Sequence, residues 1–387
     1  MANKRINTTQ VRFIISITLL ISGIGLLQYY FTSSGSVQIS QLILVIFSFF
    51  SIRSLKINYK CISPKVRLLF ICFCIYALLV NFTQYFINLE ESLIKSTLYI
   101  IYNAVIFFSV VTYYIGSTRQ HTIRSCVIWT SLTMLFIAVV QYFFGLGRYD
   151  FAPRYNGFFN DPNQMAFWGL CSFGMVSILA KDLKTTLPAF IAAIIICLIT
   201  MSRSALLGIA PMIVGVLLKM GRSIYKSKYF LIILIILALL ICFTILINPQ
   251  FELTENNIYF INRITSTNVE SQMEARGYGL LYDYPEQMIF GAGQGDMMRF
   301  NHDGEIHSTW HGILFYYGII GLAFFLGFLF NLYKRLPLSD ILIGLGPLLY
   351  SFTTYGARTP IFYIFLACIY ISVHRNRVPP SVNSGFA

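Results

Sequence analysis

The run from Tyr229 to Ile247 holds nineteen consecutive residues without a single charge. As a helix it is long enough to cross the ~30 Å hydrocarbon core of a bilayer, because each helical residue rises ~1.5 Å. Backbone amides cannot be left unpaired in hydrocarbon, so a chain that enters it must close its hydrogen bonds within helices or within a closed barrel. Comparable apolar runs recur along the chain. Of its 387 residues, 57% are hydrophobic and 11% charged, about half the charged fraction of a soluble domain. Barrel strands alternate apolar and polar residues, and these runs do not. The chain therefore reads as an all-α polytopic membrane protein, with residues 1–387 forming a single integral membrane domain.

About twelve transmembrane helices are predicted, near residues 11–31, 38–52, 68–88, 93–116, 123–145, 163–180, 186–201, 204–218, 229–247, 307–332, 339–355 and 359–373. One large loop, 248–306, precedes the tenth helix. The first run lacks a small-residue cleavage site and is long for a signal-peptide core, so it reads as a retained helix. The tail over 379–387 is polar and rich in Pro and Ser, and is expected to be disordered.

Alternate loops separate by charge, as they should if Lys and Arg stay cytoplasmic. One set, with both termini, carries twenty bases against Asp182 and Asp340, a net +18. The other carries eight bases against thirteen acids, a net −5. This topology places both termini in the cytoplasm and 248–306 in the periplasm, the orientation expected of a multi-pass protein of an inner membrane. It also accounts for the overall +13 without nucleic acid as a partner. All eight cysteines fall in predicted helices or on the cytoplasmic side, and none in the 248–306 loop. No disulfide framework is expected, although the periplasm is oxidising.

Seven of the eight outer bases are arginine: Arg148, Arg154, Arg203, Arg263, Arg276, Arg299 and Arg358, with Lys95 the exception. Topology alone does not prefer Arg over Lys. A planar fork of donors that stays charged when partly desolvated suits phosphate, but each arginine can equally pair with the acids around it.

Three outer-facing places carry candidate chemistry. The first is Arg154-Tyr155-Asn156-Gly157-Phe158-Phe159-Asn160-Asp161-Pro162-Asn163, where Asp161 and Pro162 read as an N-cap and first helical residue. An arginine there stands at the positive end of a helix, where an anion would bind. The second is the tight turn Ser202-Arg203-Ser204, level with lipid headgroups, where an arginine can also simply snorkel to membrane lipids. The third spans Glu274-Ala275-Arg276-Gly277-Tyr278, then Phe290-Gly291-Ala292-Gly293-Gln294-Gly295, and ends at His307-Ser308-Thr309-Trp310-His311. The glycine run follows no βαβ pattern and faces a compartment without ATP, so it reads as a turn back toward the membrane. His307 and His311 share a helix face. With His302, Asp303 and Glu305 near them a zinc site is conceivable, but no His-Glu-x-x-His or cysteine pair supports it, and no metal or other cofactor is expected. A neutral imidazole could instead serve as a general base.

Taken together, these places resemble the O-antigen ligase and Wzy-type O-antigen polymerase superfamily. The likeness rests on Arg154, Gly157, Phe158, Pro162 and Asn163, on the Ser-Arg-Ser turn, and on Phe290-Gly291-x-Gly293 after a long loop. It continues through His307-Ser308, nine residues, and Gly318-x-x-Gly321. The match covers 154–321. It implies a glycosyltransferase of surface polysaccharide or lipopolysaccharide biosynthesis, acting on a glycan carried by undecaprenyl pyrophosphate. By that resemblance Arg154, Arg203 and Arg276 hold the pyrophosphate leaving group, and His307 deprotonates the acceptor hydroxyl. Tyr155, Asn163, Ser202, Tyr278 and His311 are then candidates for binding sugar or phosphate. A polymerase would use a second lipid-linked repeat unit as acceptor, with a chain-length regulator as a further partner. A ligase would use lipid A core or a protein. The modest 59-residue loop leans toward the polymerase. From another class, a lipid-linked oligosaccharide flippase remains as an alternative, though the acids lie in loops or at helix ends rather than at helix centres.

Overall fold

The structure, a computed structural model, describes residues 8–31, 37–180, 182–221, 274, 276–302 and 304–375, with the backbone alone for Arg203, Leu206, Met220 and Arg375. The predicted helix at 229–247, the loop over 248–273 and the tail at 379–387 lie outside the described residues.

Among the described residues the protein is all-α, with no strand. Its principal helices are α1 (Thr8–Gly25), α2 (Ile39–Asn58), α3 (Pro64–Asn88), α4 (Glu91–Ile115), α5 (Gln120–Phe143), α6 (Pro162–Leu179), α7 (Leu183–Ile199), α8 (Arg203–Met220), α9 (Thr309–Tyr333), α10 (Leu338–Tyr350) and α11 (Pro360–Arg375). Six of these, α1 to α5 and α9, are long and apolar enough to cross a membrane, and shorter apolar helices accompany them. This is the architecture of a membrane protein.

Local chemistry sets the helix ends. Asp161 accepts from the Asn163 amide and Pro162 begins α6; Asp182 accepts from the Thr185 amide at the start of α7. The Asp182 carboxyl is held below the usual carboxylate range, chiefly by its Thr185 hydrogen bonds. α2 runs to Asn58, six residues past its predicted end. Hydropathy stops at Arg53, but backbone hydrogen bonding continues with Arg53 and Lys56 exposed, and bases favour the negative end of a helix.

The core follows the composition of each helix. α6 is apolar all round and is buried from Met165 to Leu179, as is most of α11. A helix without a polar face has to sit inside. α2 and α3 instead turn Phe49, Leu68, Leu79 and Phe86 outward, a surface suited to acyl chains.

Inside α9, Gly318 leaves the helix with φ +62° and ψ −176°. The break frees the carbonyls of Phe315 and Tyr316, which accept from the amides of Ala292 (2.9 Å) and Gly293 (2.9 Å). The Gly-x-Gly-x-Gly run thus returns to the bundle and repairs the broken helix, as buried backbone groups require. The two glycines meet face to face: a Cβ on Gly291 would strike the Tyr316 carbonyl, and one on Gly318 the Ile289 carbonyl. Gln294 follows, accepting from Tyr317 (2.7 Å) and Tyr355 (3.1 Å) while its amide donates to Asn81.

The turns after α1, α5, α7 and α10 gather at one end of the bundle with the segment before α9. Tyr30 donates to Phe158 O, Tyr155 to Ile199 O, and Thr309 to Ser351 O. At the other end Lys219 of α8 pairs with Asp340 of α10 at 3.2 Å.

Candidate functional site

The gathered turns enclose a cavity of 580 Å³. Four pieces of chain build its wall: Leu27 and Tyr30 after α1; Asn160, Asp161, Asn163 and Gln164 at the start of α6; Arg276, Glu305 and His307 before α9; and Thr354, Tyr355 and Arg358 between α10 and α11.

Backbone bonds hold these pieces in register. The His307 amide donates to Arg276 O (3.1 Å), which sets the two residues side by side. Next to them, the Ile306 amide donates to the Tyr316 hydroxyl (3.1 Å), and Ser308 caps α9. Thr309 ties the start of α9 to the following turn: its amide donates to Ser351 O and Thr354 O, and its hydroxyl accepts from the Gly356 amide (2.9 Å). That turn carries Arg358, whose guanidinium pairs with Glu305.

A second group lies behind the α6 side of the wall. Arg154 is buried, 6% exposed. Its Nε donates to Thr200 O (3.0 Å) and its Nη2 to Asn163 Oδ1 (2.9 Å). Ser202 Oγ donates to the same Oδ1 (3.2 Å) and lies 3.0 Å from the Tyr350 hydroxyl, which is 3.1 Å from Asn163 O. Arg154 and Ser202 thus reach the cavity through Asn163, whose carbonyl end they fix. Three segments distant in sequence, 154–163, 200–202 and Tyr350, converge on that one amide.

Other expected residues stand farther from the cavity. Tyr155 is fully buried, its hydroxyl donating to Leu146 O (2.6 Å) and its ring against Tyr142 and Tyr149; burial raises its pKa. It braces the loop between α5 and α6 and does not line the cavity. Tyr278 stacks on His311 at 4.3 Å and donates to Phe352 O, while His311 Nδ1 meets Ser308 Oγ at 3.0 Å. This pair packs beside the wall. Arg203 opens α8, and its side chain lies outside the described residues. Arg276, His307 and Asn163 line the cavity. So do Arg358, Glu305 and Asp161, which the sequence did not single out as site residues.

His307 lines the cavity and its side chain remains exposed, yet partial desolvation at the wall lowers its pKa from the ordinary 6.5. Glu305 and Asp161 oppose the shift, and Arg276 and Arg358 reinforce it. The imidazole is therefore neutral at pH 7 and able to accept a proton. For Arg358, burial disfavours the charge but Glu305 more than offsets it, so its pKa is raised. Among the described residues no group of three or more His, Cys, Asp or Glu is placed to hold a metal ion. The arrangement offers a neutral base, two guanidinium groups and a row of amides and hydroxyls around one space large enough for a sugar and a phosphate-bearing headgroup.

No protein-family profile matches the chain, and no curated protein is significantly similar to it.

Proposed function

We propose that the protein is a polymerase of bacterial surface polysaccharide, joining repeat units carried on undecaprenyl pyrophosphate. The observation that carries this reading is the shared cavity of His307 and Arg276, a proton acceptor and a phosphate fork held together by a backbone bond. His307 takes the proton of an acceptor hydroxyl, whose oxygen attacks C1 of the donor sugar. The bond from C1 to the pyrophosphate oxygen breaks, and the electron pair leaves with the pyrophosphate. Arg276 stabilises the charge that grows on that oxygen, which is worth most in a partly desolvated site. Arg154 acts through Asn163 by fixing the amide that faces the substrate. Arg203 is proposed for the same clamp on the resemblance alone. A pyrophosphate is already a good leaving group, so the step is written without a metal.

In this reading the chain has about twelve spans in the inner membrane, both termini are cytoplasmic, and the cavity faces the periplasm, where lipid-linked units arrive. The loop charges and the family resemblance support that orientation. Cells lacking the protein distinguish the possibilities. Loss of a polymerase leaves single repeat units on the surface lipid, and loss of a ligase leaves uncapped core. Loss of a flippase strands the units inside. Single units, restored to long chains by the wild type but not by a membrane-inserted His307→Ala variant, support the proposal; either other pattern replaces it.

A further inference from the structure

Arg358 lies outside the 154–321 stretch that resembles known enzymes, yet it lines the same cavity as Arg276 and His307. Its backbone is held from two directions. The Arg358 carbonyl accepts from Asn103 of α4 (3.0 Å), and two residues earlier Gly356 donates to Thr309, itself two residues after His307. The mount is thus shared with the base. The Arg358 side chain is 27% exposed and the Glu305 side chain paired with it 46% exposed, so the arginine is the more enclosed member and the carboxylate the open one. Gly304, with φ +97° and open space where a Cβ would stand, precedes Glu305, whose side chain is the more exposed of the pair.

We propose that Arg358 is a second guanidinium of the diphosphate site, and that Glu305 occupies it until the ligand's diphosphate displaces the carboxylate. The inference rests on the reading of this cavity as a site for a diphosphate-linked lipid. A carboxylate presents two oxygens to an arginine fork much as a phosphate does, so Glu305 keeps the site charged and ordered between ligands. A diphosphate diester carries two negative charges. Among the described side chains, Arg276 supplies one positive charge at the wall, Arg154 is engaged behind Asn163, and Arg358 supplies a second. Asp161, the other carboxylate lining the cavity among the described residues, is committed to capping α6 and does not compete for this arginine.

The test is binding to the full chain purified in detergent, with geranylgeranyl diphosphate, the monophosphate, the alcohol and inorganic pyrophosphate as probes. Arg358→Gln should weaken the diphosphate about tenfold or more, the loss of one charge-assisted contact, and leave the alcohol unchanged. Glu305→Gln should tighten both diphosphate probes, since it removes the competitor. A tighter grip on the lipid diphosphate than on pyrophosphate identifies a lipid headgroup as the ligand. Equal diphosphate affinity in wild type and Arg358→Gln overturns the inference, and so does weakening in Glu305→Gln, which would make the pair a structural strut. If Arg358→Gln does not fold, the sign of the Glu305→Gln effect decides alone. Repeat-unit transfer by wild type and His307→Gln is measured separately. Failure of the transferase reading therefore shows as absent transfer with the binding pattern intact.

Discussion

Gly318→Ala tests the joint between the fold and the site. At φ +62° and ψ −176° an L-residue occupies a region that is almost glycine-only, at a cost of ~1–3 kcal/mol. The added Cβ would also meet the Ile289 carbonyl oxygen, a backbone atom with little freedom to move. Relieving that contact pulls 289–293 away from α9. The bonds from Ala292 to Phe315 O and from Gly293 to Tyr316 O, each 2.9 Å, are then lost at about 1 kcal/mol apiece. The sum is about 3–5 kcal/mol, a large part of a typical folding free energy, and lowers the melting temperature by about 4–6 °C for a chain of this length. Thermal unfolding in detergent measures it, with amide exchange at Ala292 and Gly293 as the local readout. Gly145→Ala is the control: φ is +65° but nothing lies within 4 Å, so strain of ~1 kcal/mol acts alone. A Gly318→Ala protein as stable as the control, with both amides still protected, would refute the claim that the loop repairs the broken helix.

Three further outcomes are expected. Asn163→Leu removes one acceptor of buried Arg154 and should destabilise by ~2–3 kcal/mol, whereas Asn163→Asp, which offers a carboxylate instead, should retain stability; equal thermal shifts contradict the network. Transfer should require neutral His307, whose folded pKa lies below 6.5, so activity is full above that pH and falls on acidification below it. Glu305→Gln removes an influence that raises the pKa and moves the acid limb lower, while Arg358→Gln moves it higher; shifts of the opposite sign in the pH–rate profile defeat the assignment. Lys219→Met leaves the Asp340 carboxylate, 10% exposed, without its partner and should cost ~3–5 kcal/mol, most of it recovered in Lys219→Met/Asp340→Leu. Denaturation of the single and double variants decides.

Much of the helical scaffold was legible because apolar runs leave little else to form in a membrane. α3, α4, α5 and α9 begin and end within about five residues of the limits that hydropathy marks. Discrepancies arise where the apolar run and the helix are different things. α2 continues through the exposed Arg53 and Lys56, and α10 stops at Tyr350, short of the span marked to 355, where Ser351, Thr353 and Thr354 form the turn instead. At the cavity, Arg276 and His307 were legible because they stand in a recognisable order along the chain. Arg358 was not, because it sits alone in a short turn beyond any motif and acquires its place only through tertiary bonds to Asn103 and Thr309. Asp161 was read as a cap, which it is, but capping does not keep it from lining the cavity. Sequence also could not separate Arg154 from Arg276. Both precede glycine-containing turns, and only packing shows that one is buried behind an asparagine while the other reaches open space.

The most direct test of the central claim uses purified protein in nanodiscs with a single undecaprenyl-pyrophosphate-linked repeat unit as donor and acceptor. The account predicts a ladder of lengthening products released with undecaprenyl pyrophosphate, absent in His307→Ala and insensitive to a chelator. A wild-type protein that folds, binds the lipid and yields no product until core lipid is supplied would contradict a polymerase, and one that yields none even then would contradict glycosyl transfer at this cavity.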